Sequence, residues 1–338
     1  MSDLFKEIKI GNLSVKNRIV MPPMCMYSAS EGRASDFHCV HYGARALGGA
    51  GLIIVEATGV EACGRITDNC LGAYDDSHIE GLSRIADSIK VSGAVSAIQL
   101  GHAGRKCTAA VPEIYSPSAI AFDEKSKTPK EMSLQDIKRV IEAFKAAAKR
   151  TQAAGFDMIE IHGAHGYILS SFLSPLSNKR SDEYGGTKEN RVRIVGEIIK
   201  AVREVFTGAV GLRVSAEDYT EGGNHPEDLA YMINHIKACG IDLVDVSSGA
   251  VTAAAFKIYP GYQLKFAEII KEMTGLPVVA GGLLTSPWHM EEIVANKRAD
   301  MVFVGRELLR NPHFPLYAAK SLGDKVALPK QYERAPIF

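Results

Sequence analysis

The sequence predicts an α/β protein built as a single (β/α)8 (TIM) barrel over residues 1–338, with a lid-like insertion at residues 107–130 and a C-terminal tail at residues 329–338. Three observations carry that prediction. Eight short apolar runs recur along the chain, at residues 18–21, 51–56, 95–100, 157–162, 210–215, 243–247, 277–280 and 301–304. Helical patterns fill the gaps between them, several with explicit start and stop signals. No long polar linker divides the chain, which favours a closed parallel barrel over two doubly wound sheets. A chain of this length commonly forms one such barrel with insertions.

All eight runs are apolar and strand-like, and the fourth, residues 157–162, reads as a strand buried on both faces. After the third, residues 107–130 are long, polar and contain prolines, as expected of a lid. Ser133 followed by Asp136 resembles a capping box. Ile137, Val140, Ile141 and Phe144 then recur at helical spacing until Gly155. The fourth strand ends in His162, and Gly163 and Gly166 let the chain turn tightly before Tyr167. Beyond the fifth strand, Pro226 sits at a first helical position, Glu227 and Asp228 follow it, and Gly240 closes the helix. Ser286 and Pro287 repeat the start signal before the last strand.

Composition bounds the function classes. Lys plus Arg equals Asp plus Glu, 39 each, so no global field attracts nucleic acid, and small molecules are the expected partners. The six cysteines, Cys25, Cys39, Cys63, Cys70, Cys107 and Cys239, show no disulfide or zinc-finger spacing and suit a reduced, cytoplasmic protein. Residues 1–9 carry charges in place of a signal-peptide core, and no apolar stretch approaches the ~18 residues that span a bilayer. Neither export nor a membrane partner is expected.

In a parallel barrel the chemistry sits where the strands end, and phosphates are often held after the seventh and eighth strands. Those exits read Gly281-Gly282 and Gly305-Arg306, where backbone N–H groups can approach an anion and Arg306 can add a charged contact. The fourth exit gathers His162, His165 and Tyr167, three proton-donating groups. Cys25 and Tyr27 follow the first strand, Gln99 and His102 belong to the third exit, and Arg213 lies on the fifth. A planar cofactor across the mouth would meet all of them. A flavin suits the residue types, because Gln99 can serve its pyrimidine edge and Arg213 the negative charge of its reduced ring. From spacing alone it is one option among several.

The residues resemble a known family. Lys16-Asn17-Arg18-Ile19-Val20, Pro23-Met24-Cys25-Met26-Tyr27, Gln99-Leu100-Gly101-His102-Ala103-Gly104-Arg105-Lys106 and His162-Gly163-Ala164-His165-Gly166-Tyr167 are similar to segments of the old yellow enzymes, FMN-dependent ene reductases. Ser174-Pro175, Asn178, Arg180, Asp182, Tyr184-Gly185-Gly186, Asn190-Arg191 and Gly305-Arg306-Glu307 extend the match over nearly the whole chain. Cys25 with Tyr27 and a C-terminal arginine resembles the bacterial subgroup called NADPH dehydrogenases. The resemblance implies flavin contacts at Pro22, Pro23, Met24, Cys25, Ala57, Gln99, Arg213, Gly281, Gly282, Gly305 and Arg306. It implies substrate contacts at Tyr27, His162, His165 and Lys106, with Tyr167 as proton donor. It also implies a homodimer or homotetramer in which Arg334 reaches the active site of a neighbouring subunit.

Chemistry agrees with that assignment. Hydride addition to the β carbon of an enone, or of a nitroalkene, builds negative charge on oxygen, which His162 and His165 can stabilise by donation. Tyr167 is protonated at neutral pH and can supply the α proton. No Gly-x-Gly-x-x-Gly fingerprint is present, so NADPH or NADH is expected to reduce the flavin from the same open face. Two rivals stand beside this reading. One is a metal-dependent lyase or isomerase with Glu160, His162 and His165 as ligands, although Glu160 lies mid-strand; the metal expectation for this sequence is none. The other is a flavin-binding sensor without turnover, against which the positioned proton donor argues.

Overall fold

The computed structural model describes residues 1–335, so the end of the predicted tail, residues 336–338, lies outside the described residues. The chain opens with a hairpin, β1 (Ile8–Ile10) and β2 (Leu13–Val15), and enters the barrel at β3 (Ile19–Met21). Then come α1 (Asp36–Leu47), β4 (Leu52–Gly59), α2 (Ile79–Lys90), β5 (Val95–Gly101), the short strands β6 (Tyr115–Ser116) and β7 (Lys130–Glu131), and α3 (Leu134–Ala153). The second half holds β8 (Met158–Gly163), α4 (Ile168–Leu173), α5 (Lys188–Arg203), β9 (Ala209–Ser215), α6 (Pro226–Ile236) and β10 (Leu243–Ser247). It ends with α7 (Leu264–Thr274), β11 (Val278–Ala280), α8 (Pro287–Ala295), β12 (Met301–Phe303), α9 (Arg306–Arg310) and α10 (Phe314–Ser321).

The eight predicted runs are the eight barrel strands. They pair in parallel in the order β3, β4, β5, β8, β9, β10, β11, β12, and Val302↔Ile19 and Phe303↔Val20 close the ring. Alternation along each strand divides the core in two. Val20, Leu52, Ile54, Ala97, Met158, Ala209, Leu243, Val279 and Met301 fill the barrel. Ile19, Met21, Ile53, Val55, Ile98, Ile159 and Val244 pack outward against the helices. Ile10 and Val15 of the hairpin join the inner set, plugging the end at which the strands begin.

One strand departs from expectation. β4 continues past Glu56 to Gly59, with a register shift between Val55 and Thr58 before Thr58 and Gly59 pair with Leu100 and Gly101. Such an irregularity re-aims the side chains around it. The helix signals hold: Ser133 and Asp136 form a reciprocal capping box, and Pro226 and Pro287 each occupy the first turn of a helix. No helix among the described residues is long and apolar enough to cross a membrane.

The insertion is tied down at its base. β6 and β7 pair, and Arg180 Nη1 donates to Pro117 O at 3.0 Å and also to Met132 O. Cys107, Ala109 and Ile114 form a small apolar cluster against which Tyr167 packs. At the other end of the barrel the tail residues Lys330, Gln331 and Tyr332 line a cavity of about 580 Å³ with Lys16, Gly49 and Ser92, which precede β3, β4 and β5.

Candidate active site

The exit of β8 forms one wall of the mouth. The His162 ring meets the Tyr167 ring edge-on at 4.9 Å and the His165 ring at 5.4 Å. His165 adopts φ 62°, an uncommon conformation for a residue with a side chain, and its N–H donates to Ser215 Oγ at 2.9 Å. Its Nε2 shares a 2.7 Å hydrogen bond with Ser247 Oγ. Burial, and then the Arg213 charge, hold both imidazoles well below their ordinary pKa, so both rings are neutral and each carries one N–H. Burial raises the Tyr167 hydroxyl, which keeps its proton.

The opposite wall follows β3. Tyr27 has φ 51° and is 46% exposed at the rim. Backbone strain of this kind, of order 1–3 kcal/mol each, is concentrated where function needs a fixed geometry. Burial pushes the Cys25 thiol up to about 12, with the Glu56 carboxyl adding to the shift, so it is a thiol and not a thiolate. Glu56 itself is fully buried in β4 and anchors this segment: Oε2 accepts from Met26 N–H at 2.9 Å and Oε1 from the Tyr42 hydroxyl at 3.1 Å. Burial pushes it up to about 7. Ala57 lines the mouth with His162 and Tyr167.

Beneath the mouth, Gln99 Nε2 donates to Glu160 Oε2 at 2.6 Å, and Arg213 Nε lies 3.4 Å from Asp245 Oδ2. The Arg213 guanidinium stands 5.6 Å from the Phe303 ring centroid. The seventh and eighth exits converge beside it. Arg213, Ser247, Gly282, Gly305, Arg306 and Arg310 line a cavity of about 210 Å³. The glycines are needed there: a Cβ on Gly281 would lie 2.6 Å from the Phe303 ring, and Gly282 has φ 101° with Tyr262 2.7 Å from where a Cβ would stand. Gly305 faces Met24 Sδ and Pro22 at 3.6 and 3.8 Å, measured from where its Cβ would be. Arg306 and Arg310, with glycine backbone free of side chains beside them and Arg213 adjoining, fit a phosphate joined to a planar ring, as in FMN.

Not every predicted residue reaches the mouth freely. The Lys106 amine is held by His165 O at 2.9 Å and Ala250 O at 3.1 Å, over the Phe122 ring of the insertion at 4.2 Å. Burial, helped by Arg105, brings it down to about 8. His102 Nδ1 accepts from Gly104 N–H at 3.0 Å and its Nε2 faces Glu61 Oε2 at 3.3 Å. Arg334 is exposed, two residues past the turn against the strand starts; two residues reach at most ~7 Å, whereas a seven-residue strand separates the barrel ends by ~20 Å. It therefore lies away from Tyr167 of its own chain.

Glu160, His162 and His165 do not converge on one point. Among the described residues, Glu61, Cys63 and His102 are the three candidate ligands whose atoms lie within 4.8 Å of one another. There Glu61 is paired with Arg139 at 3.1 Å, and the Gly104 contact leaves the His102 proton on Nε2, the atom a metal would need. The sequence reading missed Glu56, Asp245 and Ser247. Alternation in the run 243–247 was the available signal, since it sends Leu243, Asp245 and Ser247 to one face.

Fold and site together define a flavin-dependent oxidoreductase of the parallel-barrel class. The comparisons agree. Residues 3–325 match the NADH:flavin oxidoreductase / NADH oxidase family. The chain is 54% identical to an NADPH dehydrogenase of Geobacillus thermodenitrificans, over 99% of each chain. It is 53% identical to an NADPH dehydrogenase of Clostridium acetobutylicum, over 98% of this chain and 99% of the relative. Among solved structures, morphinone reductase superposes with a TM-score of 0.82 at 27% identity, covering 97% of this chain and 92% of that one. The 2-naphthoyl-CoA reductase complex gives 0.90 at 28% identity, covering 95% of this chain, which spans 52% of that longer one. The protein belongs to the NADH:flavin oxidoreductase / NADH oxidase family, the old yellow enzymes, with FMN as its cofactor and a reduced nicotinamide as its electron source.

Proposed function

We propose that this enzyme uses NADPH to reduce the activated C=C bond of α,β-unsaturated carbonyl or nitro compounds, with Tyr167 as the proton donor. The observation that carries the reading is the neutral Tyr167 hydroxyl packed on the neutral His162 ring, with His165 beside it, above a floor of Gln99 and Arg213. Relatives named NADPH dehydrogenase and the likeness to morphinone reductase support it. FMN, once reduced, supplies the hydride. Gly282, Gly305 and Arg306 hold its phosphate, with Gly281 keeping the approach clear, while Gln99 and Arg213 meet its pyrimidine edge. Pro22, Pro23, Met24, Cys25 and Ala57 border the ring. His162 and His165 donate to the substrate oxygen and hold the α carbon within reach of Tyr167, which gives up its proton and regains one from solvent.

Tyr27 borders the substrate at the rim. Lys106 acts indirectly, fixing the His165 and Ala250 carbonyls, and the 107–130 segment serves as a lid over Tyr167. Six free thiols support a reducing, cytoplasmic setting. The enzyme works as a homo-oligomer in which Arg334 of one subunit completes the site of another; Phe37 and Val40, exposed on α1, give apolar surface for such contact. The test is anaerobic stopped-flow. NADPH should bleach the flavin absorbance and cyclohexenone should restore it; bleaching without recovery by any enone or nitroalkene removes the proposed substrate class.

A further inference from the structure

Four polar side chains are buried in the barrel at the floor of the mouth: Gln99, Glu160, Arg213 and Asp245. Glu160 is 0% and Asp245 1% exposed. Glu160 Oε2 is taken by the Gln99 amide, yet Glu160 Oε1 and both oxygens of Asp245 have no hydrogen-bond donor, Arg213 standing off at 3.4 Å. The two carboxyls are nonetheless within hydrogen-bonding reach of each other. Gly211 is the β9 residue paired with Glu160, so no side chain from that position comes between them.

Two facing carboxylates in a dry interior would be like charges without a donor between them, an arrangement that one shared proton relieves. Its location follows from the neighbours. Asp245 faces a guanidinium, which favours the ionised form. Glu160, fully buried, faces the Asp245 anion, and these favour the acid against the opposing pull of the Gln99 amide N–H and of the Arg213 charge. His162, two residues further along β8 and neutral, adds no charge.

We propose that Glu160 is a carboxylic acid donating to the Asp245 carboxylate, and that this pair positions Gln99 and Arg213 for the flavin. The Glu160 acid accepts from Gln99 through Oε2, which turns the Gln99 amide so that its Oε1 faces the mouth and can accept from the imide N–H of the flavin ring. Asp245 fixes Arg213 and offsets part of its charge, so the reduced, anionic ring gains less from it. Burial, with Asp245 next, raises Glu160 well above an ordinary carboxyl, and Asp245 is raised less because Arg213 opposes the effect.

The test uses the FMN-loaded protein. At ~pH 9, where ordinary carboxyls are ionised, its infrared spectrum should hold a C=O band of a protonated carboxylic acid that Glu160→Gln abolishes. Glu160→Gln keeps the acid's pattern, donating to Asp245 and accepting from Gln99, so flavin potential and FMN affinity should match the parent. Glu160→Leu should weaken FMN binding roughly tenfold, the equivalent of one hydrogen bond. Asp245→Asn should raise the flavin potential. A parent spectrum unchanged by Glu160→Gln overturns the proposal, as does a Glu160→Gln variant whose potential shifts like Asp245→Asn. Should Asp245→Asn not fold, the infrared arm decides alone, and it reads the pair whichever alkene the enzyme reduces.

Discussion

Tyr167 meets the mouth with a proton that burial makes hard to remove, and the Phe variant isolates that proton because only an oxygen is lost. Tyr167→Phe should leave NADPH-driven flavin reduction intact and slow reoxidation by simple enones, by up to the ~10²–10⁴-fold typical of a general acid. Equal slowing of both half-reactions in stopped-flow traces would make the residue a cofactor contact instead. Glu56 offers a second test at this scale, read through stability. Its pKa moves from 4.5 to about 7 on folding, so between those values the native state holds a proton that the unfolded chain has released. Stability therefore falls as pH rises through that window, by ~3 kcal/mol from this group, and is unaffected by it outside. Glu56→Gln, which stays neutral, should gain on the parent from pH 4.5 to 7 in urea titrations, and a constant difference would mean that Glu56 is not protonated when folded.

Among the elements, α9 and the exit of β11 bear on cofactor retention. Arg306→Ala should weaken FMN binding by ~1.5–3 kcal/mol, or roughly 10–100-fold in Kd by equilibrium dialysis, through loss of a charged phosphate contact. Unchanged affinity would remove Arg306 from the phosphate site. The barrel strands were legible because strands buried on both faces carry nearly unbroken apolar runs, and His162, His165 and Tyr167 because three proton donors at a glycine-rich exit have few structural uses. β1, β2, β6 and β7 were not, since they lie outside the eight repeating strand and helix units and their pairing is set by what they pack against. Glu56 was hidden for a related reason: the irregularity in β4 depends on register with β5, which no local pattern encodes. The likeness to the old yellow enzymes supplied roles that spacing alone had left open.

At the scale of the whole molecule, Arg334 lies at the wrong end of its own barrel to serve Tyr167, so the role proposed for it requires assembly. Mixing Tyr167→Phe with Arg334→Ala under conditions that exchange subunits should give activity above the average of the two, because one site in each mixed dimer pairs an intact tyrosine with an intact arginine. Proven exchange without that gain, alongside a clear defect in Arg334→Ala alone, would end the trans assignment. The hairpin that plugs the strand starts has a different reach. With Ile10 and Val15 as a stopper the barrel is a vessel with one opening, so whatever reduces the flavin and whatever reoxidises it come and go by the same door. For the reaction proposed above, the spent nicotinamide would have to back out before an alkene entered, and each visitor, in excess, would detain the form of the enzyme that the other needs.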